Sequence, residues 1–145
     1  DAKDIVDKIM SFKKPVWVFI NADAASAGAL ISIACDSIYM APGATIGAAT
    51  VVDSNQEKAP DKFQSYMRSI MRATAEENGR NPQIAEGMVD ENIEIKGIKE
   101  KGQVITFSTS EALQHGFCEA KVESSKSGQT GRVSMVVAPK NTQKN

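Results

Sequence analysis

From Pro15 to Cys35 the chain passes from an unbroken apolar run, PVWVFI, through nearly side-chain-free residues, NADAASAGA, into a second apolar run, ALISIAC. This passage constrains the fold more than any other. A continuous run of β-branched and aromatic residues reads as a buried strand. The run Ala29–Cys35 reads as a helix, Asp36–Ala41 (DSIYMA) as a further short strand, and Pro42-Gly43 as a turn. Upstream, Ile5, Val6, Ile9 and Met10 share one face of a helix over 2–12, which Pro15 ends. Helix, strand, turn, helix, strand is an alternation that favours a parallel sheet covered by helices.

Beyond Pro42 the stretch GATIGAATVVDSNQEKAP reads as a long irregular loop, the kind that is usually functional or mobile. Residues 60–77 carry the strongest helical pattern, with Phe63, Met67, Ile70, Met71 and Thr74 on one face and Asn78-Gly79 at its end. Pro82 opens a short helix over PQIAEGMVD. Residues 93–107 read as a hairpin bending near Gly97 and Gly102. Thr109 or Ser110 caps the helix EALQH, which Gly116 closes, and FCEAKV is a last short strand. From Ser124 the composition turns to Ser, Lys, Gly, Gln and Thr, interrupted by VSMVVAP. The organisation expected is one domain over 1–123, then a polar tail over 124–145 holding at most one more strand.

At 145 residues the chain is one domain's worth, and its 17 basic and 18 acidic side chains leave a net charge of -1. Nucleic-acid binding usually requires a basic face, which this balance does not supply. No apolar run approaches the ~20 residues that span a bilayer. The charged opening DAKDIVDKIM does not read as a signal peptide. Cys35 and Cys118 lack metal-ligand spacing, and one histidine is too few for a zinc site, so both cysteines are expected to be buried apolar residues. No metal or cofactor is expected.

Ser26 sits where the apolar strand gives way to the helix. Such a turn lifts a side chain to the carboxyl end of the strands, where ligands bind in open α/β folds. Ala24, Ala25, Ala27, Gly28 and Ala29 leave a peptide free to approach the backbone. The N–H groups of the first helical turn, that of Ala27 among them, can serve as oxyanion donors. The plainer alternative is that these small residues only allow tight helix–strand packing.

A serine nucleophile needs a base. His115, the only histidine, falls in the last turn of a short helix, where an exposed imidazole is unremarkable. A lysine base works only when neutral, so its pKa must fall by about three units from ~10.4. Lys62, after Pro60-Asp61, stands at the positive end of the long helix and one residue before the apolar face begins at Phe63, which would let it turn inward. Asp61 either caps that helix or keeps the lysine charged. Lys58, Lys96, Lys99 and Lys101 read mostly as surface groups.

The stretch PVWVFINADAASAGALISIACDSIYMAPGATIGAA resembles the nucleophile segment of the ClpP-like serine proteases, above all the NfeD (nodulation efficiency D) membrane proteases: an apolar strand, A-S-A-G, an apolar helix, an acidic-strand element and G-x-x-I-G. APDKFQSYMRSIMRATAEENGRNPQIAEGMV resembles the family's A-P-x-K helix and G-R-N-P segment, and STSEALQHGFCEA its closing segment. The match covers about residues 1–122.

The resemblance implies a ClpP/crotonase-like α/β spiral of ββα units, with a parallel sheet covered by helices. It implies a serine endopeptidase with Ser26 as nucleophile, Lys62 as general base, and Ala27, Gly28 and Gly47 around the oxyanion and substrate. The implied substrates are hydrophobic segments of peptides or proteins, stomatin-like membrane proteins among them. The implied assembly is a homodimer or larger homo-oligomer. The full-length protein would be membrane-associated with its catalytic domain outside the cytoplasm, and this chain a soluble fragment. The family's first strand and second oxyanion glycine are expected to precede residue 1. Two other readings stay open: a crotonase-like acyl-CoA enzyme, whose family usually has glycine in place of Ser26, and a catalytically inactive scaffold that binds a membrane partner.

Overall fold

The computed structural model describes the backbone of residues 1–124 and 133–137. The elements are α1 (Ala2–Ser11), β1 (Trp17–Ile20), β2 (Asp23–Ala25), α2 (Ala27–Ala34), β3 (Ser37–Met40), β4 (Thr45–Gly47), α3 (Asp61–Glu77), α4 (Pro82–Gly87), β5 (Thr106–Ser108), α5 (Thr109–Gln114), β6 (Ala120–Ser124) and β7 (Val133–Val137).

Two successive ββα units organise the chain: β1, β2 and α2, then β3, β4 and α3. The first strands of the two units pair in parallel, Trp17 to Ile20 against Ser37 to Met40. The second strands also pair in parallel, Asp23 to Ala25 against Thr45 to Gly47. Each turn of the chain therefore adds one strand to each of two sheets, which grow as β1-β3-β6-β7 and β2-β4-β5. Both β6 and β7 belong to the first sheet, where they run antiparallel to each other. Residues 125–132 and 138–145 of the tail lie outside the described residues.

Helices α1 and α3 flank α2, which carries no charged residue and buries Ala29, Leu30, Ile33 and Ala34. With Ile38, Met40, Ile46, Met71, Met88 and Phe117 these side chains form one core. Cys35 and Cys118 are free and buried.

Several sequence expectations need correction. PVWVFI is half-buried: Trp17 is 67% and Phe19 52% exposed, because β1 is an edge strand whose alternate residues point away from the helices. The segment after Gly43 is not irregular throughout, since it contains β4 and, further on, a bridge from Val52 to Lys58. Runs of three residues are too short to show periodicity, so β2 and β4 escaped notice. Residues 93–107 form turns with a single bridge from Ile95 to Lys99, while β5 pairs with β4. The cap of α5 is Ser108, in a reciprocal capping box with Glu111. On α3 the buried face is Gln64, Met71, Thr74 and Ala75; Phe63 is 47% exposed.

Candidate active site

Strand β2 ends at Ala25 and α2 begins at Ala27, so one residue must reverse the chain. Ser26 does so at φ 54°, ψ -122°. Residues bearing a Cβ rarely adopt positive φ, and such outliers cluster at functional sites. A serine ahead of a helix usually accepts a hydrogen bond from the first turn, worth about 1 kcal/mol. Ser26 makes no such bond. Its backbone is instead held by the adjoining strand: the Ser26 N–H donates to the carbonyls of Ala48 (3.1 Å) and Gly47 (3.3 Å). The hydroxyl is left on an exposed elbow.

Around it, Ala25 and Ala27 are exposed and Gly28 half-buried. Ala29 N–H and Leu30 N–H both turn back to the Ser26 carbonyl. Among the described residues no acceptor takes the N–H of Ala27 or Gly28. They are free donors at the positive end of α2. Gly47 is brought to the elbow by the parallel pairing of β2 with β4. Its φ is 141°, and an added Cβ would stand 2.2 Å from the Ile105 carbonyl oxygen. Only glycine lets β4, β5 and the elbow approach so closely.

Lys62 lies in the first turn of α3, exposed, with Nζ 5.0 Å from the centre of the Phe63 ring. Among the described residues it makes no hydrogen bond or ion pair, and it is not bonded to Ser26. Asp61 neither caps the helix nor bonds Lys62. Its carboxylate faces Arg68 at 3.6 Å, and Arg68 also binds Asp90 at 3.2 Å. His115 stacks on the Phe107 ring, with centroids 5.2 Å apart. Lys99, read as a surface lysine, is buried and gives its ammonium protons to the carbonyls of Glu91, Ile93 and Glu100.

Sequence reading missed two polar anchors. Arg80 is buried, and its guanidinium donates to the carbonyls of Ile33 (2.9 Å), Cys35 (3.0 Å) and Asp36 (3.3 Å) at the end of α2. Gln64 is 2% exposed and bonds Val51 and Ala59. The signal for Gln64 was available: positions 64, 67, 71, 74, 75 and 78 repeat at three and four residues, and a polar residue inside such a stripe asks for partners. Among the described residues no cluster of side chains fits a metal ion, and no helix is long and apolar enough to cross a membrane.

The chain is similar to two curated proteins of known name. It is 37% identical over 123 residues to the membrane protein NfeD1b of Bacillus subtilis strain 168, covering 84% of this chain and 28% of that protein. It is 31% identical over 124 residues to the membrane-bound protease PH1510 of Pyrococcus horikoshii, covering 80% of this chain and 25% of the relative. The chain thus spans about a quarter of the length of these relatives.

Among solved structures it resembles the 1510-N membrane-bound stomatin-specific protease. Against a serine-to-alanine mutant the TM-score is 0.67 at 30% identity, over 81% of this chain and 55% of that one. Against a lysine-to-alanine mutant in complex with a substrate peptide the TM-score is 0.68 at 30% identity, over 81% and 52%. The fold is therefore the ClpP-like protease fold, and the stacked ββα units agree with it. The profile of the NfeD1b N-terminal domain matches residues 1–129, and the chain belongs to that family.

Proposed function

We propose that this chain is the catalytic domain of a serine endopeptidase in which Ser26 is the nucleophile and Lys62 the general base. The observation that carries the proposal is the Ser26 backbone: a serine ahead of a helix that forgoes its cap, holds φ at 54°, and keeps its hydroxyl exposed beside two unused N–H groups. Strained elbows of this kind present nucleophiles in other α/β hydrolases. The protease names of the 1510-N relatives, with one serine mutant and one lysine mutant bound to peptide, support the same reading.

In the proposed reaction the neutral Lys62 amine takes the Ser26 proton. Ser26 Oγ bonds to the scissile carbonyl carbon, and the oxyanion forms against the N–H groups of Ala27 and Gly28. Gly47 keeps the adjoining strand close to the reacting peptide. The Lys62 ammonium returns its proton to the leaving amine as the C–N bond breaks. Water, deprotonated by the same amine, then splits the acyl ester. Lys62 must swing toward Ser26, and an apolar peptide laid over both would disfavour the ammonium. A hydrophobic segment of a membrane-associated protein, stomatin-like in the manner of the 1510-N substrate, is the proposed substrate, processed by a homo-oligomer at the membrane.

A fluorophosphonate probe tests this in the full-length protein. Labelling is expected at Ser26 and is lost in Ser26→Ala; Lys62→Ala removes it near neutral pH. If neither the unmodified chain nor any variant is labelled, the inactive scaffold is the better reading. Acyl-CoA turnover that survives Ser26→Ala would favour the crotonase-like one.

A further inference from the structure

The elbow and the start of α3 are far apart in sequence, and a short strap joins them. Ala48 receives the Ser26 N–H and gives its own N–H to the Ile105 carbonyl (2.9 Å). Ala49 N–H donates to the Met88 carbonyl (2.8 Å), and Thr50 Oγ1 to the Val89 carbonyl (2.9 Å). At Val51 the strap meets the Gln64 side chain. Gln64 Oε1 accepts from the Val51 N–H (2.9 Å), and Nε2 donates to the Val51 carbonyl (2.7 Å) and the Ala59 carbonyl (3.0 Å).

The two ends of the 51–59 segment also bond each other, Ala59 N–H to Val51 carbonyl at 2.9 Å. Gln64 is buried, two residues beyond Lys62 on the same first turn, and all its usable amide hydrogen-bonding groups serve this junction. A primary amide accepts at its oxygen and donates at its nitrogen, so this one uncharged side chain pairs with both backbone groups of Val51.

We propose that Gln64 is a positioning residue: its buried amide fixes the first turn of α3 to the strap from Ser26, and so sets where the Lys62 amine can reach. The inference rests on the Ser26–Lys62 reading above. It concerns only how that pair is held, since Gln64 touches neither substrate nor the reacting atoms.

The test compares Gln64→Met, which fills the space without the hydrogen bonds, with Gln64→Glu, in the full-length protein. Fluorophosphonate labelling is measured per folded molecule, alongside amide hydrogen exchange. In Gln64→Met the labelling rate is expected to fall on the order of 10²-fold, as for a base displaced by about 1 Å. The Val51 amide should lose protection while the α2 amides keep theirs.

Gln64→Glu supplies a second reading, and serves if the methionine variant does not fold. A buried carboxyl stays protonated to higher pH than an exposed one. When protonated it retains the acceptor and one donor. Its rate relative to the unmodified chain at the same pH should therefore be higher at about pH 6 than at about pH 9. A purely structural role leaves the rate per folded molecule unchanged.

If the unmodified chain is labelled and Lys62→Ala is not, yet folded Gln64→Met labels within about threefold of the unmodified rate, or Gln64→Glu has the same relative rate at both pH values, the positioning role is overturned and the Ser26–Lys62 reading stands. Absence of labelling in the unmodified chain overturns both. Unchanged protection at Val51 in a folded Gln64→Met overturns the clamp itself.

Discussion

The amide of Ser26 donates to the carbonyl of Ala48 at 3.1 Å, and both residues hold positive φ, 54° and 44°. Two Cβ-bearing residues in this region, joined by one hydrogen bond, are unlike anything helix–strand packing alone requires. A residue in such a conformation costs of order 1–3 kcal/mol, and persists only where its surroundings over-determine it. Here they do: Ala48 is fixed by the Ile105 carbonyl, and Gly47 is pressed against that same oxygen. The strain and its support lie beside the hydroxyl.

Because the Ser26 hydroxyl caps nothing, its removal should leave folding untouched. Ser26→Ala is expected to unfold within about 0.5 kcal/mol of the unmodified chain, where an ordinary N-cap serine would lose ~1. Ser26→Gly releases the strain, partly offset by the freedom glycine gains when unfolded. A gain of roughly 0.5–1 kcal/mol follows, raising Tm by a few degrees. Differential scanning calorimetry decides it: a clear loss in Ser26→Ala, or a glycine variant less stable than the alanine one, would mean the elbow is not strained as described.

What could be read in the sequence depended on length and period. The alternation from Pro15 to Met40 and the helix from Asp61 are long enough to display their periods, so helix, strand and parallel sheet followed. β2 and β4, at three residues each, have no period to display. Their pairing is what places Gly47 and Ala48 against Ser26. Ser26 itself was legible as a strand-to-helix junction, whereas its φ is a tertiary result of that pairing. The face of α3 was misread by one residue, because Phe63 is apolar and Gln64 is not. The amide went inward because the strap offered it three partners, enough to offset burial of a polar group.

Both cysteines should be chemically silent at neutral pH. Burial pushes each thiol up, Cys118 to about 11, and Cys118 keeps its proton directed at the Ala120 carbonyl, 3.2 Å away. Thiolate is the reactive form, so Ellman's reagent at pH 8 should modify neither thiol until the chain unfolds. The same shift has a stability consequence. The folded Cys118 keeps its proton beyond the ordinary value of 9.0. Its contribution is therefore complete below that value and is lost as pH rises from there to about 11. Urea midpoints should fall less steeply over this window in Cys118→Ala than in the unmodified chain. Equal slopes, or rapid modification of the folded protein, would show that the thiol is not withdrawn from water.

Arg80 should be the most sensitive polar residue of the fold. Its guanidinium serves the carbonyls of Ile33, Cys35 and Asp36 and stands 3.6 Å from Glu119, whose carboxylate also accepts from the Ile38 N–H. One side chain thus ties the end of α2 to the starts of β3 and β6. Burial draws the guanidinium below its ordinary value, and Glu119 acts against that draw. A cation at a helix C-terminus is also favoured by the helix dipole. Arg80→Met would withdraw all of these donors at once from groups that water reaches poorly. A loss of about 3–5 kcal/mol is expected, the cost of breaking a buried ionic cluster by removing one partner. Arg80→Lys should recover only part of it, because an ammonium cannot present a planar fork to three carbonyls arranged around it. Urea denaturation at neutral pH measures both. If Arg80→Met unfolds within about 1 kcal/mol of the unmodified chain, the guanidinium is a passenger in a site that apolar packing holds together, and α2 is fixed by its core side chains alone.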